Sequence, residues 1–259
     1  MWMLEAGQSS RSVKRRLSAV KSLYRFLLSL GLVKVNITSK VLVPKTDKPL
    51  PIYFRESEMV AFKELNKIPT YEEEMDKVEW LEAMRDYLVV ELLYQTGVRR
   101  AELAALEDKD IDLVGRQIRV FGKRRKERFV PIGEKLVKEI EGYMKIKQDL
   151  LQGEECFGIF LVRKKKSGEW VTLGAGGIYN IVRARMSEVS TLKKHSPHVL
   201  RHTFATTMLN NGADIRTIQT LLGHSSLEAT QVYTHTTFEE MKKAYEKAHP
   251  RSMKVKGEN

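Results

Sequence analysis

Several short stretches of this chain have residue types and spacings suited to chemistry on an anion. Residues 196–204 read SPHVLRHTF, with His198 and Arg201 three apart and therefore neighbours on one helical face. A polar pair within an otherwise apolar helix asks for an anionic partner. His198 and His202 also stand at the i, i+4 interval of zinc helices. However, Val199 stands where a metalloprotease carries Glu, and Arg201 would set a fixed positive charge beside the cation, so no metal site is expected. Residues 221–233 read LLGHSSLEATQVY: Gly223 ends one helix, His224 follows in the turn, Ser225 or Ser226 caps the next helix, and Tyr233 closes it. Taken singly, a turn histidine is most often just exposed, and a tyrosine at a helix end most often packs with its hydroxyl in water.

Upstream, residues 95–103 read QTGVRRAEL. Thr96 and Gly97 break one helix while Arg99, Arg100 and Glu102 open the next, placing an arginine near a helix N-terminus, where donors converge on anions. A surface pair of Arg99 with Glu102 is the plain alternative. Lys123 sits in a basic turn, which by itself signals only a soluble turn. The set says more than its members. A tyrosine, two arginines, two histidines and a lysine, with no carboxylate cluster for Mg²⁺, make a metal-free kit for phosphodiester transfer.

Mostly helices must position these groups. From Ser10 to Leu30, Val13, Leu17, Val20, Tyr24, Leu27 and Leu28 recur at three- and four-residue intervals with Arg11, Lys14, Arg15, Lys21 and Arg25 between them, an amphipathic basic helix closed by Gly31. Residues 36–51 hold three prolines and three lysines without helical period and read as a linker. Helical spacing returns over residues 79–94, 101–106, 134–149, 177–189, 197–210, 214–222 and 238–248. Two alternating runs, 117–121 and 128–132, flank the turn at 122–127 and predict a basic β-hairpin.

Charge is zoned along the 259 residues. The net charge is +12, from 45 Lys and Arg against 33 Asp and Glu. Residues 1–51 carry ten bases against Glu5 and Asp47, residues 52–90 reverse the balance with ten acids against five bases, and residues 117–130 gather six bases around Glu127. Alternating zones suit a surface that meets a polyanion in particular places, with nucleic acid the leading partner and an anionic membrane well behind. A hydrophobic content of 42% excludes disordered and low-complexity classes. The one cysteine, Cys156, cannot form an intramolecular disulfide, no stretch approaches a membrane span, and the first ten residues lack signal-peptide character. A cytoplasmic protein is expected.

The pieces TGVRRAEL, GKRRKER followed by FVPIG, PHVLRHTFAT, LLGHSS and VYTHT resemble, in order and spacing, the tyrosine recombinase (phage integrase) family, and within it the Xer-like recombinases. SAVKSLYRFLLSLGLVK resembles the later part of the family's DNA clamp. The resemblance implies a mainly α fold with a small antiparallel β-sheet (α+β). Residues 1–48 would form a partial helical clamp with its linker, and residues 49–259 the catalytic domain. It makes Tyr233 the nucleophile and Arg99, Lys123, His198, Arg201 and His224 the assisting residues, with Glu102 orienting Arg99. No cofactor or metal is implied. Arg11, Lys14, Arg15, Lys21, Arg25, Arg124, Arg125 and Lys126 are the expected DNA contacts. The partners would be double-stranded DNA, further copies in a tetramer on paired sites, and an accessory protein.

Two features depart from the family pattern. Arg124 follows Lys123 where related hairpins often have glycine, which leaves Lys126 as a second candidate acid. One long helix and a short tail precede Asn36 where the family clamp has several helices. The front is therefore expected to be shortened, with the start internal to a longer parent or the clamp naturally reduced. The helix at 238–248 carries a stripe of Phe238, Met241, Ala244, Tyr245 and Ala248 that either docks on a neighbouring protomer or packs back on its own domain. Site-specific recombination, Xer-like resolution of circular dimers or integration and excision of a mobile element, is the expected function. The alternatives are a type IB topoisomerase and a DNA-binding module that does not cut.

Overall fold

The computed structural model describes residues 3, 6–42, 53–54, 56–70, 76–122, 126–188, 195–223 and 235–252, with backbone alone at 56, 57, 63, 65 and 235–237. Its packing divides the chain into two units, Met1–Pro51 and Ile52–Asn259.

In the first unit, helix α1 (Ser10–Ser29) is capped by Ser9, whose side chain accepts the Ser12 N–H at 3.2 Å. No residue of α1 is buried, and Arg11, Lys14, Arg15 and Arg25 are exposed while Lys21 donates to the Val41 carbonyl at 3.0 Å. Most of the linker expected at 36–51 lies outside the described residues.

The second unit is built around α3 (Lys77–Thr96), with α2 (Glu56–Leu65) before it. Asp76 caps α3 by accepting the Val78 N–H at 2.7 Å, and Gly97 ends it in the left-handed conformation (φ 61°). A Cβ at Gly97 would also collide with the side chains of Phe204 and Leu222. Fourteen of the twenty α3 residues are buried, because the helix packs against α5 (Glu134–Leu151), α6 (Ala175–Ser187) and α7 (Pro197–Asn210). Two buried charged groups on α3 have partners. Arg85 donates to the Leu161 carbonyl and Glu91 accepts from Gln95 and Arg251.

After the five-residue α4 (Arg100–Ala104) comes an antiparallel sheet in the order β1 (Ile111–Asp112), β2 (Gln117–Phe121), β3 (Glu127–Pro131). The β2–β3 hairpin pairs Val120 with Arg128 and Ile118 with Val130, all four of them buried. A second hairpin, β4 (Leu161–Arg163) with β5 (Trp170–Thr172), was not expected from the sequence. Three-residue strands are too short to display a period. The helix expected at 101–106 ends earlier, at Ala104, and the one expected at 177–189 begins at Ala175. Helices α7 and α8 (Ile215–Leu222) fall where the pattern placed them.

The last helix, α9 (His235–Ala248), packs on α7, α8 and β3 of its own unit. Met241, Tyr245 and Ala248 of the predicted stripe are buried there. His249 stacks on Tyr245 at 5.2 Å, and Arg251 reaches Glu91 at 2.6 Å, so the segment after α9 is tied to the central helix. Among the described residues no helix is long and apolar enough to cross a membrane.

Candidate active site

The turn between α3 and α4 and the start of α7 together form one cleft. Val98, Arg99, Arg100, Tyr179, Ser196, Pro197, His198 and Arg201 line a cavity of about 100 Å³. The expected residue Arg99 thus meets His198 and Arg201, distant from it in sequence, in one place. Pro197 starts α7 in the first turn, where its missing N–H is no loss, and Val199, Leu200 and Phe204 bury the opposite face. That packing turns His198 and Arg201 towards the cleft.

Each arginine is fixed by carbonyl oxygens. Arg201, buried, donates from Nη1 to the Gly97 carbonyl (2.5 Å) and from Nη2 to the Leu222 carbonyl (2.7 Å). Arg99 donates from Nη2 to the Gly223 carbonyl (3.2 Å) and from Nη1 to Glu102 Oε1 (2.8 Å). A third guanidinium, Arg128 on β3, donates from Nε to the Leu221 carbonyl (2.7 Å). The carbonyls of Leu221, Leu222 and Gly223 are thus each taken by a different arginine. The C-terminal end of α8 carries orphan carbonyls and the negative pole of the helix dipole, so three cations there satisfy both. Gly223 ends α8 in the left-handed conformation (φ 65°), and the chain continues directly into His224.

Glu102 is the carboxylate that Arg99 and Arg128 share. It accepts the Arg99 backbone N–H at 2.8 Å, the Arg99 side chain, and both Nη1 (3.2 Å) and Nη2 (2.8 Å) of Arg128. The alternative of a solvated surface pair does not describe it, since Glu102 is 8% exposed. Burial pushes the Glu102 carboxyl up, but the hydrogen bonds and charge of Arg128 and the bonds from Arg99 outweigh it and hold the group below the usual carboxylate range. Burial first, and then the charge of Arg99, bring the Arg201 guanidinium down to about 10, against the pull of Glu102. Three guanidiniums around one carboxylate leave the site positive and shaped for a polyatomic anion.

His198 is exposed on the cleft wall. Partial enclosure, then the charges of His202, Arg201, Arg100 and Arg99, lower its pKa, so at neutral pH it is an uncharged imidazole able to accept a proton. His202 is exposed one turn further along α7, and among the described residues no three His, Cys, Asp or Glu side chains gather as a metal site.

Residues 59–240 match the phage integrase family. The chain belongs to that family. It is an Xer-like tyrosine recombinase, 39% identical over 260 residues to the tyrosine recombinase XerC of Chlorobaculum parvum, covering 96% of this chain and 76% of that one. The XerC of Staphylococcus aureus is 37% identical over 243 residues, 94% of this chain and 76% of its own length. Among solved structures, the XerA recombinase is 30% identical with a TM-score of 0.54, over 93% of this chain and 77% of that chain. The fold is also that of the XerH recombinase in a post-cleavage complex with its difH substrate, at 21% identity and a TM-score of 0.67, over 92% of this chain and 67% of that chain. The recombinase relatives do not favour the topoisomerase alternative.

In this recombinase, the candidates Lys123, Arg124, Arg125, His224 and Tyr233 lie outside the described residues. Lys126 is exposed at the entry to β3, its carbonyl accepting the Gly122 N–H at 2.7 Å. Arg11, Lys14, Arg15, Lys21 and Arg25 belong to the other unit. Arg100 and Tyr179 line the cleft without having been counted as site residues, with the Arg100 guanidinium 5.5 Å from the centre of the Tyr179 ring. Arg128 was also passed over among the hairpin's bases. The signal that would have found it is the strand period, which puts Arg128 on the face of Val130.

Proposed function

We propose that this recombinase cuts and rejoins duplex DNA at specific sites through a covalent link between Tyr233 and a 3′ phosphate. The observation that supports it most is the meeting of Arg99, Arg201 and His198 in one positive cleft, at the helix end that leads into His224. Attack by the Tyr233 oxygen on phosphorus builds negative charge on the non-bridging oxygens. Arg99 and Arg201, their planes set by carbonyl bonds, stabilise that charge, and His224 adds a hydrogen bond. His198, uncharged before reaction, takes the Tyr233 proton. Lys123, with Lys126 the reserve, gives a proton to the departing 5′ oxygen. The phosphotyrosine conserves the phosphodiester energy, so a 5′ hydroxyl from another strand reverses the step without ATP.

The bases of α1 and of the hairpin, Arg11, Lys14, Arg15, Lys21, Arg25, Arg124, Arg125 and Lys126, neutralise phosphates. Paired sites bring the chain into a tetramer, with an accessory protein selecting which pairs recombine. The proposed role is resolution of circular replicon dimers, or integration and excision of a mobile element, in the cytoplasm, in keeping with the likeness to XerC recombinases. The test uses nicked duplex DNA, selected from a random pool for binding, incubated in excess chelator. A covalent protein–DNA adduct at the undiminished rate is expected. Loss in chelator with restoration by Mg²⁺ or Zn²⁺ contradicts the mechanism.

A further inference from the structure

We propose that Arg128 is a positioning residue for strand cleavage, tying β3, Glu102 and the last turn of α8 into one node that holds Arg99 in its working position. The proposal rests on the reading of Arg99 as a phosphate-holding group. Its support is geometric. Arg128 is 5% exposed and sits in the hairpin, yet its guanidinium faces away from solvent into the junction of three segments. Nε takes the Leu221 carbonyl, and Nη1 and Nη2 take the two oxygens of Glu102, so the planar fork uses both of its edges. Glu102 in turn holds Arg99 twice, by its backbone N–H and by Nη1.

The neighbouring backbone is fitted to this group. A Cβ at Gly223 would lie 2.9 Å from Arg128 Nη1 and 3.1 Å from Cζ, so the chain passes flat over the guanidinium where it leaves α8. A Cβ at Gly122, on the far side of the hairpin, would sit 3.9 Å from Arg128 Nη1 and 4.0 Å from Glu102 Oε1. Helix α4, the hairpin and the end of α8 close together on one ion pair.

Charge gives Arg128 a second effect. Glu102 with Arg99 alone is a neutral pair, whose carboxylate competes with a phosphate for the Arg99 charge. With Arg128 added, the three groups carry one net positive charge and Glu102 is divided between two guanidiniums. Removing Arg128 both frees the Glu102 side chain to move and returns its whole charge to Arg99. Lysine cannot substitute fully, because one ammonium cannot span Leu221 and both Glu102 oxygens.

The experiment measures DNA affinity and the single-turnover rate of adduct formation for the full chain on a nicked duplex selected from a random pool. Arg128→Met should bind with nearly unchanged affinity while adduct formation slows on the order of 100-fold, the scale set by misplacing a reacting group. Arg128→Lys should fall between that variant and the wild type. In an Arg99→Lys background, removing Arg128 should cost much less than it does alone, because the group it positions is already altered. An equal fold-loss in both backgrounds overturns the proposal, leaving Arg128 a residue of the fold only. If Arg128→Met does not fold, Arg128→Lys and Glu102→Gln carry the same comparison. A wild type that cuts and an Arg128→Met that cuts equally fast overturns this proposal alone. A wild type that forms no adduct overturns the reading of the site together with it.

Discussion

Helices α1 and α3 are both twenty residues long and share almost nothing else. Helix α1 carries six bases and no acid, and none of its residues is buried; Leu23 and Phe26 are 53% and 59% exposed. Helix α3 buries fourteen residues and is apolar around its whole circumference from Leu88 to Leu93, broken only by Glu91, which has ion-pair and hydrogen-bond partners. A helix buried all round cannot itself present a reacting surface. What it can do is fix its end, and the end of α3 is Gly97, whose carbonyl anchors Arg201 and whose turn delivers Arg99. A helix with no buried residue contributes little to a core and can offer charge. The difference assigns geometry to one helix and electrostatic attraction to the other.

That contrast is open to direct attack. The largest effect is expected in the core. Leu88→Ala, at a fully buried position, should cost about 2–5 kcal/mol of unfolding free energy, whereas Leu23→Ala on α1 should stay within about 0.5 kcal/mol. Urea denaturation of each variant measures both, and comparable losses would erase the distinction between the helices. Next in size is the charge of α1. Replacing Arg11, Lys14, Arg15, Lys21 and Arg25 by Gln should weaken DNA binding and flatten its salt dependence by about 0.9 in log–log slope for each phosphate no longer neutralised. An unchanged slope would remove α1 from the binding surface. The saturated cleavage rate of that variant should equal the wild type's.

The smallest effect concerns His198. Its lowered pKa keeps the proton-accepting neutral form populated below the usual histidine range, so adduct formation should persist there and fall only at more acid pH. Arg100 is one of the cations that depress it. Arg100→Gln should therefore raise the His198 pKa and move the acid limb of the pH–rate profile upward. A limb that stays in place, or moves down, would show that another group governs it.

Helix α7 was legible to the residue because its signals are local: Ser196 and Pro197 mark its start, and Val199, Leu200, Phe204 and Met208 keep the helical period. The convergence of Arg99, His198 and Arg201 was legible through their types and their order along the chain. What spacing could not give is who holds whom. Glu102 reads equally well as a solvated partner of Arg99, and only the tertiary approach of β3 makes it a buried carboxylate shared by two arginines. Arg128 was hidden for the same reason, a base among bases whose single distinguishing mark is its parity along the strand. The carbonyls that fix the arginines were beyond reach, because a helix C-terminus shows in sequence only as Gly223, without saying what comes to meet it. The hairpin of β4 and β5 escaped because three residues cannot establish alternation.

In the proposed reaction a single tyrosine oxygen, that of Tyr233, carries the strand. Tyr179 lines the cleft beside Arg99, Arg201 and His198, so it is the rival that geometry alone would choose, while Tyr245 is fully buried and its hydroxyl is held far from ionising, first by that burial. The decisive measurement is covalent adduct formation on nicked duplex DNA in chelator by the wild type and by Tyr233→Phe, Tyr179→Phe and Tyr245→Phe, with DNA affinity recorded for each. Tyr233→Phe should bind DNA as the wild type does and form no adduct, while both other variants form it. An adduct that survives in Tyr233→Phe and disappears in Tyr179→Phe would make Tyr179 the nucleophile instead.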